Sequence, residues 1–198
     1  MYDYPPLDRM NVQRPTRHGM LLLAFPNKQI AAEILRRTQL FRDKCRLSGR
    51  PLLPDRFHIT LCDLGEYPEL PDALVTQVSR AATTITSPPV AVTFDRLLSF
   101  RRNANAQPLV LSGGDGLAEL CRFRQKLTLA LIEAGLQKFA KASFTPHMTL
   151  LYDPRTIKPR EIDPVRWMMS EFVLVDSLRG QTKHVPLARW QLRGEPNG

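Results

Sequence analysis

A four-residue pattern, His-x-Thr-Leu, occurs twice in this chain, as His58-Ile59-Thr60-Leu61 and His147-Met148-Thr149-Leu150, 89 residues apart. Each copy lies in a stretch that reads as a strand, Arg56–Leu64 and Phe144–Tyr152. Successive side chains in a strand point to opposite faces. His58 and Thr60 therefore share one face, while Phe57, Ile59 and Leu61 take the other, apolar one. The second copy repeats the arrangement, with His147 and Thr149 opposite Met148 and Leu150. The chain must then build two strands that bury one face and present an imidazole and a hydroxyl side by side on the other.

The rest of the sequence supplies elements to carry those strands. Met20–Phe25 reads as a short buried strand. Pro26-Asn27 opens a helix whose apolar face is Ile30, Ala31, Ile34, Leu35 and Phe41. A second helix follows Pro68 and Pro71, with Leu74, Val75, Val78, Ala82 and Ile85 on one face, and ends at Ser87-Pro88-Pro89. Val90–Phe100 and Pro108–Leu111 read as strands joined by a polar turn at 103–105. The Gly-rich segment 112–116 lacks the lysine and spacing of a phosphate-binding loop, and reads as a turn into a third helix that ends near Gly135. A proline-broken stretch with Pro154, Pro159 and Pro164 precedes a closing strand pair, 171–176 and 184–192. Residues 1–16 read as a loose tail and 17–194 as one domain. Alternating elements with antiparallel hairpins predict α/β or α+β sheets covered by helices.

Composition narrows the setting. The chain has 198 residues, 43% of them hydrophobic, with 28 Lys and Arg against 19 Asp and Glu, a net charge of +9. That is ordinary globular composition with a basic surplus, compatible with RNA as partner. The basic residues are scattered, so a merely solvated surface fits the charge equally well. The longest apolar run is too short to span a bilayer. Three cysteines, none in a C-x-x-C, argue against a disulfide scaffold or a common zinc site, and the expected location is the cytoplasm.

Two histidines suit acid–base chemistry near neutral pH: one takes a proton from an attacking water while the other gives one to a leaving oxygen. Two flanking hydroxyls can hold the non-bridging oxygens of a phosphate as charge builds there. Such a centre requires no metal. We expect His58 and His147 to be catalytic, with His58 the acid and His147 the base, and Thr60 and Thr149 to bind the phosphate.

The paired motifs, their spacing and their flanks resemble the 2H phosphoesterase superfamily, and within it the bacterial RNA 2′,3′-cyclic phosphodiesterases, also called 2′-5′ RNA ligases. The flanks are Leu21–Phe25 with Pro26, Asp55-Arg56-Phe57 with Leu64-Gly65-Glu66, Phe144-Thr145-Pro146, and the terminal Glu171–Leu174 and Pro186–Trp190. The resemblance implies two pseudo-symmetric lobes, each an antiparallel sheet with outer helices, whose His-x-Thr strands line a central groove. It implies opening of 2′,3′-cyclic phosphates at RNA ends to 2′-phosphates, with weak reversible 2′-5′ joining in some members and no nucleotide cofactor. The implied partners are RNA ends or small cyclic nucleotides, for a monomer with no membrane association. Two positions depart from the family pattern. Asp63 stands five residues after the first His, where Phe is frequent, and Tyr152 five after the second, where a phosphate-binding Arg is frequent. Tyr152 is a candidate substrate contact. Arg56, Arg101, Arg102, Lys141 and Arg155 are candidates for a replacement cation.

Other readings remain open on sequence alone: an RNA- or nucleotide-end binding module with little catalysis, or the same enzyme class on another cyclic or 2′-5′ substrate. His18 and His184 lack the threonine and read as a surface and a strand-edge residue. Trp167 and Trp190 read as packing residues. Cys62, four residues after His58, shares its face by simple alternation, but no residue is apparent that would make it a nucleophile.

Overall fold

The computed structural model describes residues 17–101, 105–178, 180–181 and 183–194. The tail expected at residues 1–16 and the centre of the turn expected at 103–105 lie outside them. Eight strands and three α-helices are described: β1 (His18–Ala24), α1 (Lys28–Lys44), β2 (Ile59–Tyr67), α2 (Asp72–Thr83), β3 (Val90–Ser99), β4 (Gln107–Ser112), α3 (Ala118–Glu133), β5 (Met148–Asp153), β6 (Arg160–Met169), β7 (Glu171–Leu178) and β8 (Lys183–Gln191).

The strands form one antiparallel sheet in the order β6-β3-β4-β5-β2-β1-β7-β8. Read outward from its centre, the order is palindromic: β5, β4, β3 and β6 on one side match β2, β1, β7 and β8 on the other. Helix α1 joins β1 to β2 as α3 joins β4 to β5. These are the two expected lobes, but their sheets meet edge to edge. The junction between β2 and β5 is one residue pair, Ile59 opposite Met148. Both side chains are fully buried.

One large core fills the helix-covered face and runs through both lobes, from Met20, Leu22 and Ile59 to Phe94, Phe123 and Met148. The other face carries a small apolar cluster of Leu21, Leu23, Val173 and Val175 with Phe25 against it. That asymmetry leaves the second face open along the β2–β5 junction. Local chemistry fixes the helices. The Asn27 side chain accepts from the Ile30 amide at 2.9 Å and caps α1. Gly135, with φ at 77°, ends the turn after α3.

Two expectations change. β6 occupies a stretch read as proline-broken, with Pro164 inside it. It is tolerated because β6 is an edge strand and the register slips there: Phe94 pairs with Val165 but Arg96 with Glu161. The opposite edge strand, β8, holds Pro186 beside a similar slip. The strand expected from Arg56 begins at Ile59, because Pro54–Arg56 forms a 3-10 turn. β5 likewise begins later than expected, at Met148.

The segment before the first motif is bound to the second. Pro51 bridges to Leu151, and the Leu52 amide donates to the Leu150 carbonyl at 2.8 Å. Buried Asp153 completes the attachment. Its Oδ2 accepts from the Ser48 and Gly49 amides at 2.6 and 2.7 Å, and its Oδ1 from the Arg155 amide at 2.8 Å. Burial alone would raise the pKa of this carboxyl, but the donors from Gly49, Arg155 and Ser48 outweigh it and hold the pKa below the usual value. Gly49 passes so close to β5 that a Cβ would collide with the Tyr152 carbonyl.

Replacing Asp153 by Ala strands three amides, so the loss expected in urea unfolding at pH 7 is about 3 kcal/mol. Because the folded-state pKa is lowered, this contribution is present above the ordinary Asp pKa and fades as pH falls through the lowered one. A loss below about 1 kcal/mol at pH 7 would contradict the role assigned to this carboxylate.

Candidate active site

The junction pair sets the geometry of both motifs. Ile59 and Met148 point into the core, so their sequence neighbours His58, Thr60, His147 and Thr149 turn to the open face, where all four are half-buried. Antiparallel register around that pair sets His58 across from Thr149 and Thr60 across from His147. The four side chains form a crossed quartet about the local two-fold. The structure thus brings together all four residues expected from the sequence.

Both imidazoles are held in the same way. His58 Nδ1 lies 2.7 Å from the Arg56 carbonyl, and His147 Nδ1 lies 2.8 Å from the Thr145 carbonyl. A carbonyl can only accept, so each ring donates from Nδ1 and keeps Nε2 for proton exchange in the groove. The surroundings of the two rings differ. Phe25 lies 6.1 Å from the His58 ring, and His184 meets it edge-on at 5.1 Å. Burial pushes the His58 pKa down to about 4; the hydrogen bond to Arg56 opposes this, and the charges of Arg56 and His147 add to it. His147 instead meets Phe100, edge-on at 4.9 Å.

Matching irregularities place the next residues. In β2 the register with β1 slips at Leu61, between the pairs Leu23–Thr60 and Leu22–Cys62. In β5 the register with β4 slips at Leu150, between Val110–Thr149 and Leu109–Leu151. Each bulge inverts the alternation beyond it. Cys62 therefore turns to the core and away from His58, where its thiol points to the Phe139 carbonyl and burial raises its pKa to about 11. A nucleophilic role is thereby removed. Asp63 and Tyr152 turn to the open face with their threonines, and Tyr152 is 47% exposed.

A cavity of about 890 Å³ adjoins His58. Its walls include Phe25, Lys28, Arg56, Lys183, His184 and Arg189. Arg189 is paired with Glu171 at 2.7 Å. Among the candidate cations, Arg56 thus stands beside His58. Arg155 bonds the Arg46 carbonyl, Lys141 acts on Cys62, Arg101 is exposed next to Phe100, and Arg102 lies outside the described residues.

His184, Phe25 and Phe100 carry no motif and are not expected at the site from sequence. Phe25 follows Ala24, which pairs with Ile59, and so stands beside His58. His184 lies on the edge strand as expected, and Phe100 directly follows β3. His18 is on the core side of β1, with Nδ1 2.6 Å from Asp176. The tryptophans pack as expected, Trp167 against Phe94 and Trp190 stacked on Phe172.

The model of the 2′-5′ RNA ligase superfamily matches residues 26–189. No curated protein matches the chain. Among solved structures, E. coli LigT in apo form is 25% identical and superposes with a TM-score of 0.68, covering 89% of this chain and 98% of that one. The same protein complexed with 3′-AMP is 26% identical, with a TM-score of 0.63 and coverage of 89% and 98%. TT0787 of Thermus thermophilus, at 21% identity, shares the fold with a TM-score of 0.66 and coverage of 90% and 100%. Among the described residues, no helix is long and apolar enough to cross a membrane. With most of its length matched and the paired motifs facing each other across one groove, the chain belongs to the 2′-5′ RNA ligase superfamily, the 2H phosphoesterases.

Proposed function

We propose that this protein opens 2′,3′-cyclic phosphates at RNA ends to 2′-phosphates, without a metal. The observation that carries the reading is the pair of imidazoles, each fixed through Nδ1 with Nε2 left to the groove, beside two threonines on the same face. The cyclic phosphate sits over the Ile59–Met148 junction. Thr60 and Thr149 hold its non-bridging oxygens.

We read the direction of proton transfer opposite to the expectation from sequence. With its pKa near 4, His58 is neutral around pH 7 and is suited to accept a proton, not to give one. His58 Nε2 takes the proton of the attacking water as its oxygen bonds to phosphorus. The bond from phosphorus to O3′ breaks, and His147 gives its Nε2 proton to that oxygen. The 2′-phosphate remains.

The adjoining cavity carries Lys28, Arg56, Lys183 and Arg189 against Asp55 and Glu171, with Arg189 paired to Glu171, and this basic surplus favours an anionic substrate. The complexes of E. coli LigT with 3′-AMP and with NADP+ support a nucleotide ligand for a site of this kind. An RNA-end binding module remains the second reading. It is favoured by Tyr152 standing where the family frequently has a phosphate-binding Arg.

Turnover of a 2′,3′-cyclic mononucleotide in EDTA is expected for the wild type. His58→Ala and His147→Ala should each lower kcat about 100-fold or more. Near-normal rates in both variants would overturn the mechanism, and wild-type binding without turnover would favour the second reading.

The pH dependence of kcat/KM tests the direction. A base with a pKa of about 4 is charged, and inactive, only below that value. The acid limb of the profile should therefore fall off near pH 4, and an acid limb near pH 6.5 would assign the base to another group.

A further inference from the structure

The two lobes are equivalent in backbone but not in what they present beside the quartet. Counting outward from β5, the row of residues at the level of Tyr152 runs through Pro108 on β4 to Phe100 at the end of β3. Pro108 pairs with Tyr152, and the Phe100 amide donates to the Pro108 carbonyl at 3.0 Å. The matching row in the other lobe runs from Asp63 through Leu21 to Val175. Both rows face the open side of the sheet, because each follows a bulge that turns residue +5 of its motif toward the groove. One row is aromatic at both ends, the other acidic and aliphatic.

The aromatic row is accessible and close to the chemistry. Tyr152 is 47% exposed, high for a large ring in the middle of a sheet. The half-buried Phe100 ring touches that of His147 at 4.9 Å, so a group against Phe100 is within one ring's width of the proposed proton donor. Pro108 is buried between them. The Phe100 and Tyr152 backbones are two strand spacings, about 10 Å, apart, which leaves room for a planar ring against either side chain. Stacking on aromatic side chains is how proteins hold single-stranded bases, whatever the sequence. In the other lobe, Asp63 offers no stacking face, and its Oδ1 accepts from the Gly65 amide at 3.0 Å. The aromatic rings beside His58, Phe25 and His184, line the cavity that also holds Lys28, Arg56 and Lys183 and so favours an anion over a base.

We propose that Phe100 and Tyr152 form a nucleobase-stacking site, so that the nucleoside carrying the reacting phosphate lies over the β3–β4–β5 lobe and not over the β2–β1–β7 lobe. The inference rests on the phosphoesterase reading of the quartet and adds to it which lobe receives the base. It also gives Tyr152 a role that an Arg at the same position would fill differently, stacking on the base in place of binding the phosphate.

Calorimetric binding of adenosine 2′-monophosphate and of ribose 2-phosphate tests this without requiring turnover. The wild type should bind the nucleotide at least tenfold more tightly than the sugar phosphate. Tyr152→Ala and Phe100→Ala should each reduce that preference about fivefold or more, and Tyr152→Phe should retain it, since a stacked ring needs no hydroxyl. Equal affinity for the two ligands, or a preference that survives both alanine variants, overturns the proposal, and loss of the preference in Phe25→Ala instead would assign the base to the other lobe. Failure of the underlying reading is seen separately, as the absence of histidine-dependent turnover of a cyclic nucleotide by the same preparation.

Discussion

The whole arrangement depends on one contact between two sheets. Ile59 and Met148 form the single residue pair by which the lobes meet, and both side chains are sealed in the shared core. Strand alternation then leaves His58, Thr60, His147 and Thr149 no choice of face. Burial of two apolar residues thus orients four polar ones. Because β2 and β5 pair nowhere else, the groove can stay open, and the attachment around Asp153 holds the approach to His58 against β5. The hydrophobic effect fixes the position of the site, and the hydrogen bonds from Nδ1 fix its chemistry.

A near-symmetric frame does not make a symmetric site. The same bulge occurs in both lobes, but it delivers Asp63 in one and Tyr152 in the other. The strands around the two histidines match, yet His58 gains Phe25, His184 and a basic cavity, while His147 gains Phe100. Burial depresses the pKa of His58. A duplicated scaffold therefore supplies two rings in fixed relation, and the side chains around them give each ring its own surroundings.

Much of this was legible in the sequence because it depends on local periodicity. The His-x-Thr-Leu repeat fixed which residues share a face, and Asn27, Pro71 and Gly135 marked helix ends by their own chemistry. What was not legible depends on relations between distant segments. Pro164 argued against a strand, and only its place at a sheet edge, beside a slip in register, makes β6 possible. Cys62 shared the face of His58 by counting, until the bulge at Leu61 turned it inward. His184 and Phe100 lie far along the chain from the histidines they touch, and no pattern local to either segment encodes the contact. The palindromic strand order likewise follows from pairings that no single segment encodes.

The central claim is that one phosphate is gripped by both motifs at once, over the Ile59–Met148 junction. The most direct measurement is a crystal structure of the protein with a 2′-phosphorylated nucleoside bound. The account predicts the phosphorus between the Nε2 atoms of His58 and His147, with the hydroxyls of Thr60 and Thr149 on its non-bridging oxygens. A phosphate bound away from the quartet, or held by one motif with the other histidine unengaged, would contradict it.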